Sequence, residues 1–160
     1  MWNGDAVNCK ILILTTTLLG LPAWAGPRED IAKAYQRSSK AMSLKFVDGV
    51  HSLRAREFKL SDPDSVNVSE QIERVRLEQV LSRALKVEET SNIVSFSSSG
   101  STARCRAHFV TRLTMVDELS RKQYQLILDT DCEDDWVLQS DGWKVKNSRV
   151  LRQEAQRIKS

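Results

Sequence analysis

Arg104-Cys105-Arg106-Ala107-His108-Phe109 and Leu128-Asp129-Thr130-Asp131-Cys132-Glu133 decide the fold, because both stretches alternate in character and each complements the other. Alternation with a period of two marks a strand that buries one face. Run antiparallel with Cys105 opposite Cys132, the two stretches set Phe109 opposite Leu128 on the same face. The other face then carries Arg104 against Glu133, Arg106 against Asp131 and His108 against Asp129. Opposite-charge pairs across a ladder stabilise it by about 0.2 to 1 kcal/mol each. Facing residues in such a ladder lie about 4.5 to 5.5 Å apart at Cα, within bonding range for two sulfurs. A Cys105–Cys132 disulfide is therefore expected, and closing a loop of this length contributes about 3 kcal/mol.

The period of two extends outward from this pair. Runs at 86–97, 102–116, 124–139 and 143–151 are separated by polar turns and predict four consecutive antiparallel strands. Asp141-Gly142 suits a two-residue hairpin loop, since such a loop needs the positive φ that Gly supplies. That loop sets Leu138 opposite Val145, Trp136 opposite Asn147 and Asp134 opposite Arg149, all on the expected covered face. Ahead of the strands the period lengthens. Ile31, Ala34, Tyr35, Ala41, Met42 and Phe46 recur at helical spacing over 29–46, Gly49 interrupts, and a short helix follows over 50–55. Residues 58–60 form a short strand, Ser61-Asp62-Pro63-Asp64-Ser65 is a turn, and a helix over 70–83 starts at Ser69. Helices first and a meander afterwards define an α+β domain whose sheet is coated by helices on one side. Residues 153–160 read as a polar tail.

Residues 1–25 carry Lys10, then the apolar run from Ile11 to Leu21, then Ala23-Trp24-Ala25, the arrangement of a cleaved export signal. The apolar run is well short of the roughly 20 residues that span a bilayer, so no permanent membrane span is expected. The address is extracytoplasmic, either periplasmic or secreted, where cysteines oxidise. What remains, residues 26–160, suits one domain of modest core. A net charge of +3, dispersed along the chain, gives no basis for nucleic-acid binding.

Chemistry is harder to find. Asp129, Asp131, Glu133, Asp134 and Asp135 fail the calcium-loop template, with Asp134 where Gly is required and Ser140 where Glu is required, so no metal is expected. No cofactor signature appears. His51 lies near the helix hinge, where packing is favoured over general-base work, and His108 falls on the outer face. Asp134 and Arg149 stand out, because the expected register turns both inward, where an ion pair needs partners or a solvated cavity. Arg149 suits an anionic ligand group, with Trp136 and Asn147 as neighbouring walls, although an internal salt bridge between Asp134 and Arg149 satisfies the same residues.

The residues Lys45-Phe46-Val47-Asp48-Gly49-Val50, the segment Phe58-Lys59-Leu60 and the closing run from Trp136 through Gly142-Trp143-Lys144-Val145 to Arg149 resemble the SnoaL-like branch of the nuclear transport factor 2-like superfamily. The resemblance covers residues 28–151 and implies a cone, with a strongly curved antiparallel sheet wrapped around the long N-terminal helix and a pocket in the open end. It implies a pocket without implying a reaction, since members similar to this one include isomerases, cyclases and hydrolases as well as binding proteins. The expected function is an exported domain that binds a small ligand or a protein partner without catalysis. The alternative is an isomerase, cyclase or hydrolase with Asp134 as base. A third possibility is a homodimer, in which the outer sheet face around Val110, Ile127 and Val137 packs on a second copy.

Overall fold

The computed structural model describes residues 26–61 and 67–159. The expected export signal and nearly all of the 61–65 turn lie outside the described residues. Among the described residues, no helix is long and apolar enough to cross a membrane.

Helix α1 spans Pro27–Ser43, with Pro27 at its start, where a missing N–H costs nothing, and Glu29 and Asp30 in the first turn to complement the helix dipole. Ile31, Ala34 and Tyr35 form its buried stripe. It ends where Lys45 enters the left-handed region at φ 56°, a strained choice for a side chain, while Phe46 N–H donates to the Ala41 carbonyl at 2.8 Å. The Lys45 ammonium is tied to the Ala84 carbonyl. Helix α2 is the short Val47–His51, three residues earlier than expected. It turns tightly because Gly49 has no side chain: a Cβ there would stand 2.5 Å from the Phe46 ring and 2.8 Å from the Ala41 methyl.

The strands are β1 (Arg54–Ser61), β2 (Asn67–Ser69), β3 (Lys86–Ser99), β4 (Thr102–Val116), β5 (Gln123–Gln139) and β6 (Gly142–Lys159), with helix α3 (Glu70–Arg83) between β2 and β3. They form one open sheet in the order β2-β1-β6-β5-β4-β3. The expected meander is β3 through β6, and β1 joins its edge parallel to β6. This is the α+β architecture expected, a six-stranded mixed sheet with an N-terminal helix on one face. One apolar cluster lies beneath α1, around Ile31, Phe58, Cys105, Trp136 and Trp143. A second lies at the C-terminal end of α3, around Leu81, Ala84, Val87 and Leu113.

Two registers differ from expectation. Between β4 and β5, Cys105 pairs with Asp134 and Ala107 with Cys132, so the ladder has slipped by two residues. An even slip preserves faces, which is why both cysteines remain inside while the ion pairs exchange partners. Arg104 bonds Asp135 at 2.8 Å and His108 approaches Asp131 at 2.9 Å. Cys105 and Cys132 are free buried thiols in this structure, diagonal rather than opposite, and the expected disulfide is not formed.

The second difference is on β6. Its turn residues are Ser140 and Asp141, with the positive φ of 117° at Gly142, the first residue of the returning strand. Trp136 then faces Val145, and bulges follow between Val145 and Asn147 and between Val150 and Arg152. Each bulge shifts the alternation by one residue, so the segment from Asn147 to Val150 is inverted relative to a regular strand. Asn147 and Arg149 consequently face outward, opposite Asp135 and Glu133, and Ser148 takes the inward place opposite Asp134. Beyond the second bulge the strand continues. Gln153 to Lys159, expected as a tail, pairs with Thr130 back to Tyr124.

Candidate functional site

Asp134 sits in the middle of β5, pointing inward, 3% exposed. Its Oδ2 accepts a hydrogen bond from the Tyr35 hydroxyl at 2.5 Å, and Tyr35 in turn accepts from Trp136 Nε1 at 3.2 Å. The rings of Tyr35 and Trp136 meet edge to face at 5.0 Å, and Phe109 meets Tyr35 in the same way at 5.5 Å. Among the described residues, Asp134 Oδ1 has no hydrogen-bond partner. The Ser148 hydroxyl lies close enough to act on the carboxyl but does not close a bond of good geometry with that oxygen.

Burial pushes the Asp134 carboxyl above its ordinary range, against the opposing pull of Ser148 and Tyr35. The same burial, reinforced by the Asp134 charge, pushes Tyr35 upward and raises both thiols, Cys105 and Cys132, to about 12. A second carboxyl lies further along the interior. Glu89 on β3 accepts from Thr111 at 2.9 Å and from Ser39 at 3.1 Å, and burial raises it as well. The inner face thus carries two carboxyls whose surroundings favour the protonated form.

Four residues were expected to converge on a ligand, and the structure divides them two and two. Asp134 and Trp136 are inside, with Trp136 1% exposed. Asn147 and Arg149 are outside, where Asn147 Nδ2 donates to Asp135 at 3.3 Å and Arg149 to Glu133 at 2.6 Å. The Asp134–Arg149 ion pair therefore does not form. His51 is buried at the end of α2, 3.3 Å from both Glu70 and Glu73, and serves the junction of α2 with α3. Among the described residues, no group of three or more His, Cys, Asp or Glu side chains is gathered as a metal site.

Tyr35 is the residue that sequence reasoning placed in the core without its partner, because the carboxyl it serves is 99 positions away. The bulge at Lys146 did leave a trace. Apolar inward positions fall on odd numbers at Trp143 and Val145 and on an even number at Val150, with a polar run between. Near the site, a small gap of about 200 Å³ opens between α1 and β3, lined by Arg28, Ala32, Tyr35, Gln36, Asn92 and Ile93 among others.

No protein-family model matches the sequence, and no curated protein matches it. The fold is matched among solved structures. A candidate scytalone dehydratase from Novosphingobium aromaticivorans superposes with a TM-score of 0.68 at 14% identity, covering 83% of this chain and 87% of that one. A candidate dehydratase of the nuclear transport factor 2-like family from Streptomyces avermitilis gives 0.62 at 12% identity, covering 78% and 94%. A hexachlorocyclohexane dehydrochlorinase gives 0.61 at 7% identity, covering 81% and 88%. The chain has the nuclear transport factor 2-like fold, the superfamily fold that includes SnoaL-like proteins, and its structural neighbours include proteins named as dehydratases and a dehydrochlorinase.

Proposed function

We propose that this chain is an exported domain that binds a small, partly apolar ligand in the gap between α1 and β3, without catalysis. The observation that carries this reading is Tyr35. It helps line the gap beside Ala32, Ile93 and Arg28, while its hydroxyl is engaged by Asp134 and Trp136. An aromatic wall held by two bonds, next to aliphatic groups and one guanidinium, suits a small molecule with an apolar body and an acidic or polar end. Asp134 itself is walled in by Tyr35, Trp136 and the buried thiols, whereas a general base must come within hydrogen-bond reach of the proton it removes. The expected partners are that ligand or a protein, at an extracytoplasmic address, with Asp134 and Trp136 acting through Tyr35.

A second reading is favoured by one atom. Asp134 Oδ1 is buried without a partner, and a carboxyl raised by desolvation is the kind of group that isomerases, cyclases and hydrolases use as a base. Loss of water and loss of hydrogen chloride, the reactions named by the neighbours, each take a proton from the substrate at some step.

Native mass spectrometry of the purified protein separates the two readings. The expected result is a small molecule retained by the wild type and by Asp134→Asn, lost when Ala32→Phe fills the gap, and recovered unchanged after incubation. Conversion by the wild type but not by Asp134→Asn transfers the assignment to the enzyme. Absence of any retained or added small molecule in the gap defeats both.

A further inference from the structure

The outer face of the sheet carries a larger concavity than the gap beside α1. A hollow of about 530 Å³ is floored by Thr102, Arg104, Asp135, Val137 and Asn147. A second, of about 360 Å³, shares Arg104, Asp135 and Asn147 with it and extends to Lys59, Glu133 and Arg149. The two make one trough across β1, β6, β5 and β4.

We propose that this trough binds a small polyhydroxylated anion, a sugar acid or a sugar phosphate. Three observations lead to that class. The first is charge. Among the described residues, Lys59, Arg104, Lys146 and Arg149 line the trough against Glu133 and Asp135, an excess of two positive charges. The second is a surplus of donors. Among the described residues, Arg104 commits only Nε to Asp135 and Arg149 only Nη2 to Glu133, leaving the other N–H groups of each guanidinium for an oxyanion, which their fork matches. The third is the mixture of groups around these cations. Ser97, Ser99 and Thr102 line the far end, and the Asn147 amide and Asp135 carboxylate stand in the middle. A hydroxyl both donates and accepts, and such a mixed wall satisfies several of them at once.

The trough exists because of the bulges. A regular β6 would turn Asn147 and Arg149 into the core, where Arg149 would be a buried charge. The bulge at Lys146 forfeits regular ladder pairing locally and places both side chains beside Arg104 and Asp135. Bulges that redirect polar side chains into a hollow are a recurrent feature of binding sites.

The test is a titration of isotope-labelled protein with glucuronate, glucose 6-phosphate, glucose and inorganic phosphate, followed by amide and side-chain resonance shifts. Glucuronate and glucose 6-phosphate separate carboxylate from phosphate as the anionic group. Shifts confined to Arg104, Asn147, Arg149 and their strand neighbours are expected with at least one anionic sugar, at least tenfold tighter than with glucose or phosphate. Asn147→Leu and Lys146→Glu, which leave the core untouched, should each weaken that binding about tenfold with the fold intact. Glucose binding as tightly as the anionic sugars, phosphate binding as tightly as either, or shifts scattered over other lysines would overturn the proposal. So would a stable dimer that protects these residues, since a second copy would then occupy the trough.

Discussion

At the scale of single residues, the interior is organised by one carboxyl. Asp134 depends on Tyr35 for its one protein hydrogen bond of good geometry, and Tyr35 is also the acceptor for Trp136 Nε1. Tyr35→Phe removes one oxygen and leaves two buried polar groups without a partner. Since each orphan costs about 1 to 3 kcal/mol, a loss of at least 2 kcal/mol in denaturant unfolding is expected, well beyond that of an exposed Tyr→Phe change. The pH dependence follows from the sign of the shifts. Asp134 and Glu89 have folded-state pKa values raised above the unfolded carboxylate values near 4, so their contribution is complete below about pH 4 and is lost as pH rises through the folded values. Asp134→Asn cannot titrate, and thermal melts of this variant should fall less steeply than those of the wild type as pH rises above about 4. Asp131 and Asp117 act in the opposite direction. His108 and Arg152 hold Asp131 down, while the Ser120 backbone N–H, Arg157 and the Ser120 hydroxyl hold Asp117 down, so both lose their contribution as pH falls below about 4.

At the scale of elements, α3 and the end of β6 are held in different ways. Helix α3 buries Leu81 but leaves Ile72, Val75 and Val80 exposed. Its N-terminal half is fixed by polar contacts: Arg54 to Glu73 at 2.7 Å, His51 between Glu70 and Glu73, and Arg74 to Asp48 and Glu78. Arg54 is 12% exposed and lies over the Phe58 ring at 4.4 Å. Arg54→Met keeps side-chain bulk over Phe58 and takes from Glu73 its guanidinium partner, a change that costs about 3 kcal/mol when one partner of a buried pair is removed. Hydrogen exchange should show the amides of α3 losing protection while those of β4 and β5 keep theirs. The end of β6 is held by a ladder and by Arg157, which reaches Asp117 at 2.6 Å and stacks over Tyr124 at 3.8 Å. Truncation after Arg152 exposes the first half of β5 and should lower stability by about 3 kcal/mol, taking several cross-strand pairs at 0.2 to 1 kcal/mol each. The sequence showed this strand poorly, because Gln153, Glu154, Gln156 and Arg157 are polar on both faces, and a strand that buries neither side carries no alternation to read.

At the scale of the whole molecule, what was legible is what burial writes into a sequence. The helix stripe of Ile31, Ala34 and Tyr35, the alternation of β3 to β6 and the Gly49 hinge all leave apolar or steric marks, and the α+β architecture followed from them. Register leaves a weaker mark. Cys105 faces Asp134 where Cys132 was expected, and both alignments bury the same faces and set acids opposite bases, so the composition of the strands does not choose between them. The candidate site suffered most, because Asn147 and Arg149 change sides through one extra residue at Lys146. That extra residue has a genetic consequence. In an ordinary strand an in-frame loss of one codon turns everything downstream inside out. Here the codon for Lys146 encodes the residue that the ladder already skips, and its removal should join Val145 directly to Asn147 with each later side chain still on its present side. A protein shortened at that point should keep the near-ultraviolet dichroism of its buried Trp136, whereas one shortened at Ser148 should not.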